Sequence, residues 1–153
     1  NEEDRLNFAQ QKHWSFEEKY IDHPYSLHNL GMAVAYTIQE KRMSPPYQKI
    51  GERFLEYAAL LKPESADAHL LKGWYHYSRN ESEAAVARAR RALELDPENS
   101  KIWIGLGFFL EKAGRTREAI EAFQKVLDLY PGYPNRATLQ HHMRELAGGT
   151  VGS

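Results

Sequence analysis

Seven histidines, 21 acidic residues and 20 lysines and arginines are the side chains of this 153-residue chain that carry acid–base or ligand chemistry. A metal centre needs three or more such groups converging at set spacings. His141-His142 is the sole adjacent histidine pair, and no HExxH or other helical ligand spacing brings a third group into range. Cysteine is absent, which excludes disulfides, thiolate ligands and thiol nucleophiles and leaves cytoplasm and bacterial periplasm equally open. No P-loop, GxGxxG or GxSxG is present to cradle a phosphate or to raise a serine at a strand-to-helix elbow. The carboxylates fall at spacings expected of solvated helix faces. Arg79, Arg88, Arg90 and Arg91 form the one basic cluster, but a net charge of −1 supplies no long-range pull on nucleic acid or anionic lipid. No apolar run approaches the ~18 residues of a membrane span. These residues predict a protein without catalytic function, cofactor or metal, and without a nucleic-acid partner or a membrane span.

What the sequence does organise is repetition. Leu61-Lys62-Pro63-Glu64, Leu95-Asp96-Pro97-Glu98 and Leu129-Tyr130-Pro131-Gly132 recur at an offset of 34 residues. Ala58, Ala92 and Val126 keep the same step, as do Gly73 with Gly107 and Ala85 with Ala119. Each unit reads as two helices. In the last, Ser100 is placed to cap a helix over 101–113 that Gly114 ends, and Thr116 to cap a second one that stops before Pro131. Ala119, Ile120, Phe123, Val126 and Leu127 give that second helix one apolar stripe. The preceding unit repeats the layout, with helices over about 67–79 and 82–95.

The first unit is longer, since Gly31 to Gly73 spans 42 residues instead of 34. The eight extra residues predict a first helix stretched to about Met43, followed by a Ser44-Pro45-Pro46 turn. The organisation expected is an N-terminal helical segment over 1–23, units over 24–65, 66–99 and 100–133, a C-terminal capping helix over 134–147 and a disordered tail over 148–153. A start at Asn1 is what a processed form or a piece of a longer chain would show.

Trp103, Leu106, Gly107, Ala119, Phe123 and Pro131 sit at the spacing W-x2-L-G-x2-Y, then A-x3-F, then P, with Leu110 in place of the tyrosine. The unit from Ser100 to Tyr133 thereby resembles a tetratricopeptide repeat. The unit before it keeps Gly73, Ala85, Ala92 and Pro97, with His69, Lys72 and Ala89 at three consensus places; the first keeps Leu30, Gly31, Ala58 and Pro63 and has Gly51 for the usual alanine. The resemblance covers about 110 residues and implies an all-α, right-handed superhelical solenoid of three helix-turn-helix pairs with a helix at each end. His69 and His76 then read as packed core histidines.

In that family the first helix of each unit lines a concave face. The resemblance therefore implies a groove formed by Leu70, Leu71, Trp74 and Tyr77 from the second unit, Lys101, Ile104, Phe108 and Glu111 from the third, and His28, Asn29 and Met32 from the first. Such a groove is apolar and aromatic in its middle, which suits a peptide or helix of a protein partner. The clamp by which some members hold a chaperone carboxylate is disfavoured, because only Lys101 matches it among His28, Met32, Leu71, Lys101 and Gly105. A non-catalytic scaffold or assembly module is the expectation. An accessory domain of a larger enzyme and a self-assembling module, hence a homo-oligomer, are the alternatives. Residues 5–21, with Leu6, Phe8, Trp14, Phe16 and Tyr20, are a further candidate occupant of the groove.

Overall fold

The computed structural model describes residues 25–60 and 65–151. The expected N-terminal helical segment, with its proposed docking of residues 5–21, lies outside the described residues. Among those described the chain is all helix: α1 (Tyr25–Gln39), α2 (Pro45–Leu60), α3 (Ala66–Ser78), α4 (Ser82–Leu95), α5 (Ser100–Lys112), α6 (Thr116–Leu129) and α7 (Arg136–Val151). They pack in sequential antiparallel-type pairs, α3 with α4 and α5 with α6 most extensively, and each pair stacks on the next through α2–α3, α1–α3 and α4–α5. The last helix continues to Val151, so Gly148 and its neighbours belong to α7 where a disordered tail from 148 was expected.

The turn inside each pair has one geometry. Lys41, Asn80 and Gly114 all adopt left-handed backbone, with φ of 54°, 62° and 77°. In each case the next amide reaches back five residues: Arg42 N–H to the Thr37 carbonyl, Glu81 to His76 and Arg115 to Leu110. This satisfies carbonyls that a helix end otherwise leaves orphaned. The first pair shares the turn although it is longer. Its first helix stops at Gln39 instead of reaching Met43, and the extra length is spread over a 15-residue α1, a wider turn and a 16-residue α2, against 13 and 14 residues in the next pair. Lys41 ends α1 by turning left-handed, which outweighs the helical propensity of the residues that follow it.

Two caps differ from expectation. Asn99, not Ser100, accepts the Lys101 amide at 3.1 Å, and Thr116 is the first residue of α6 while Arg115 occupies the cap without a side-chain bond. Ser65 caps α3 by accepting from the Ala68 amide at 3.1 Å.

The core runs along the stack and is built on holes left by glycines. A Cβ on Gly107 would lie 2.4–2.8 Å from three ring atoms of Phe123, and one on Gly73 would lie 2.7 Å from Phe109. The difference between the two sites follows from one substitution. Phe123 of α6 fills the hole of its own pair, whereas the equivalent residue 34 positions earlier is Ala89, too small to do so. Phe109 of the next pair enters instead, and Phe109, Phe123 and Ala89 are all inaccessible to solvent. Trp103 flanks this core with its indole N–H donating to the Pro97 carbonyl at 2.8 Å, which ties α5 to the proline turn before it.

The nature of the neighbour sets the cost of adding a methyl group. Gly107→Ala forces a rigid ring to move and should cost about 1–3 kcal/mol. Gly105→Ala meets only the Leu70 Cδ1 methyl closely, at 2.7 Å, and this flexible end can move aside. Gly105→Ala also gains helix propensity of about 1 kcal/mol, so thermal melts should rank it well above Gly107→Ala.

Candidate functional site: a concave cavity between the first helices and the last

The residues expected in the groove divide into three groups. Leu70, Leu71, Trp74 and Tyr77 are buried, so they form core where exposed groove residues were expected. The reason is again the small residues of neighbouring helices. Leu71 packs back onto Gly31 of α1, where a Cβ would meet it at 2.8 Å, and Leu70 packs forward onto Gly105 of α5. Trp74 is 1% exposed and stands edge-on to Phe109 at 4.7 Å and to Tyr77 at 5.4 Å. A family resemblance that implies a concave position for these residues of α3 does not reveal that α1 and α5 close over them.

Met32, Ile104 and Phe108 are half-buried and do meet in one place. They line a cavity of about 440 Å³ together with Tyr36, the edge of Trp74, and Tyr133, Asn135, Thr138, Leu139 and His142. The lining is mostly apolar. Its polar groups (Asn135, Thr138 and His142) come from α7 and the residue before it. Phe108 lies 5.2 Å from Phe123 in an edge-on contact and 6.2 Å from Trp74, which holds its ring against the core while one side remains open.

Lys101 and Glu111 mark opposite ends of α5. Burial pushes the Lys101 ammonium below its ordinary range, with Asp67 and Asp96 acting against that shift. Glu111 accepts from His142 at 2.8 Å and so joins the end of α5 to α7. His28 and Asn29 fall within α1, but their side chains lie outside the described residues.

The α7 contribution is what sequence reasoning missed, since His141 and His142 entered it only as an adjacent pair without a third ligand. His141 is exposed beside Glu145, but His142 is half-buried against Phe108 and Phe123 with ring centroids at 6.1 and 5.7 Å. The signal available was its position three residues after Leu139, on the face of α7 that turns to the core.

Several of the remaining acid–base groups form surface pairs. Arg115 bridges Glu118 at 2.8 Å and Glu83 at 3.2 Å, Arg90 reaches Glu118 at 3.1 Å, Arg79 meets Glu81 at 2.8 Å, and Arg91 pairs with Glu94. Arg79, Arg90 and Arg91 of the expected basic cluster are therefore each paired with a carboxylate, Arg90 across α4 and α6. His69 is buried, and His76 is half-buried with Nδ1 3.5 Å from Glu81. Among the described residues no three His, Asp or Glu side chains come together as a metal site, and no helix is long and apolar enough to cross a membrane.

Comparison with known proteins agrees with this architecture. Residues 70–134 match the family model of the tetratricopeptide repeat. That segment carries the tetratricopeptide repeat, a module that in general mediates protein–protein interaction. It is similar to the peroxisomal targeting signal receptors of Candida glabrata (28% identical over 87 residues, 57% of this chain and 15% of the receptor) and Kluyveromyces lactis (31% over 81 residues, 53% and 14%). Superkiller protein 3 of Saccharomyces cerevisiae is 29% identical over 82 residues, 48% of this chain and 6% of that protein. The chain thus spans about one seventh of the receptors it matches. The crystal structure of MamA protein shares the fold, with a TM-score of 0.53 and 22% identity over 84% of this chain and 68% of that one.

Burial pushes the Tyr77 phenol up to about 12, with the Glu111 carboxylate, Tyr36 and Glu40 adding to the effect. The folded chain therefore holds the phenolic proton more tightly than the unfolded chain, whose tyrosines titrate near 10. The resulting stabilisation is fully present below pH 10 and is lost as pH rises towards 12. Melts monitored by circular dichroism at pH 9 and 11.5 should show a smaller alkaline loss for Tyr77→Phe than for the parent chain.

Proposed function

We propose that this chain is a non-catalytic binding module that accepts an apolar segment, a peptide or one face of a helix, from a protein partner in the cavity between α1, α3, α5 and α7. The observation that carries the reading is the cavity itself: about 440 Å³, open, and walled by Met32, Ile104, Phe108, Leu139 and the edge of Trp74. Aromatic and aliphatic walls with a few polar groups at one end are the usual form of a site for a side-chain anchor. The relatives named as receptors of a targeting signal support a role in recognising a polypeptide segment. The repeat units are read as 24–65, 66–99 and 100–133, so all three contribute their first helices to the site.

Phe108 and Ile104 are the anchors in this reading, since they are half-buried and free to contact a guest. Trp74 supplies a wall from within the core. Lys101 and Glu111 lie at the two ends of α5, where they would orient the ends of a bound segment through charge.

Panning a displayed peptide library on the intact chain should select segments with aromatic or branched aliphatic anchors. Phe108→Asp should weaken the selected peptides at least tenfold with helicity nearly intact. Trp74→Ala should cost about 3–5 kcal/mol of fold stability, as loss of a large buried aromatic does. Selected peptides that bind Phe108→Asp and Ile104→Asp as tightly as the parent chain would remove the cavity as the site.

A further inference from the structure

On the outer side of α2, Tyr47, Ile50, Tyr57 and Leu60 are each 59–66% exposed. The repeats provide an internal control for how unusual this is. Moving 34 residues along the chain, the equivalents of Ile50, Tyr57 and Leu60 are Ala84, Arg91 and Glu94; a further 34 along they are Glu118, Lys125 and Asp128. Where the later pairs carry small or charged side chains, the first pair carries large apolar ones. The geometry also shows which way part of this face looks. Glu118, the equivalent of Ile50, turns back towards the preceding pair and meets Arg90 of α4 at 3.1 Å. Ile50 therefore looks outward from the open end of the stack, where the described chain has no preceding pair.

We propose that this stripe is a two-fold interface through which a second copy of the chain pairs antiparallel, α2 against α2. Its spacing is its own mirror: three residues from Tyr47 to Ile50, seven from Ile50 to Tyr57 and three from Tyr57 to Leu60. A dyad between residues 53 and 54 sets Tyr47 against Leu60 of the second copy and Ile50 against its Tyr57, an aromatic on an aliphatic each time. An isologous contact requires this self-complementarity. The charges agree with it. Lys49, Arg53 and Glu56 are exposed along one flank of the stripe, and the same dyad brings Glu56 of each copy between Lys49 and Arg53 of the other. The four apolar side chains offer on the order of 500 Å² per copy, so a symmetric pair buries on the order of 1,000 Å², the lower bound for a specific interface. The pairing is accordingly reversible and leaves the concave cavity free.

Sedimentation equilibrium of the 153-residue chain between about 1 and 500 μM should show a monomer–dimer equilibrium. Ile50→Glu with Tyr57→Glu should raise the dissociation constant at least 100-fold with the helical circular-dichroism signal retained. Because the chain has no cysteine, Arg53→Cys gives a clean second readout that does not depend on folding of the double variant. Mild oxidation should link it into dimers, while Lys112→Cys at the end of α5 should remain monomeric. A monomer at every concentration, a dimer unaffected by the double substitution, or a parent monomer in which that substitution destroys helicity (the sign of a stripe covered by the chain's own residues 1–24) would each overturn the proposal.

Discussion

Close approach of a large ring to a missing side chain is the contact on which the rest of this stack depends. Phe123 on Gly107 and Phe109 on Gly73 fill space that a single methyl group would occupy. Each aromatic is inaccessible to solvent and anchors the helices on either side of it. The two contacts are not copies. Where the second helix of a pair supplies a phenylalanine, the hole is filled within the pair; where it supplies Ala89, the next pair reaches back to fill it. That exchange joins the second and third pairs by a core residue and not by surface contacts alone.

The same rule decides what is left open on the concave side. Leucines aimed at neighbouring first helices find Gly31 and Gly105 opposite them and are drawn in. Phe108 and Ile104 face no such hole and remain at the surface of the concave side. The cavity therefore arises where the supply of small residues ends, and α7 gives it a boundary by placing Leu139, Thr138 and His142 across the gap. The Glu111–His142 contact at 2.8 Å fixes that boundary to α5. Glu111 and His142 beside the cavity are engaged with each other and hold helices together.

The two outer faces differ for a related reason. Along α4 and α6 the exposed positions are occupied by arginines and carboxylates that bridge adjacent pairs, with Arg115 touching both Glu83 and Glu118. Along α2 the positions equivalent to Glu118, Lys125 and Asp128 are instead the exposed Ile50, Tyr57 and Leu60. Water favours the first arrangement and disfavours the second unless another apolar surface covers it.

Recurrence at 34 residues was sufficient to identify paired helices, the repeat type and the turns of the second and third pairs, because glycines, alanines and prolines impose their backbone constraints locally. The first pair breaks the period and turns at Lys41 instead of Ser44-Pro45-Pro46. Gly114 illustrates this: its left-handed turn follows from residue type alone, and Asn80 and Lys41 reproduce it. The family resemblance also implied Ile104, Phe108 and Met32 for the groove, and these three line the cavity. It did not decide which concave residues stay open. That choice belongs to tertiary structure, since burial of Leu70, Leu71, Trp74 and Tyr77 depends on what stands opposite them in other helices, and His142 enters the cavity only because α7 folds across residues far away in the chain. Packing complementarity is a relation between segments, and no single stretch of sequence contains it.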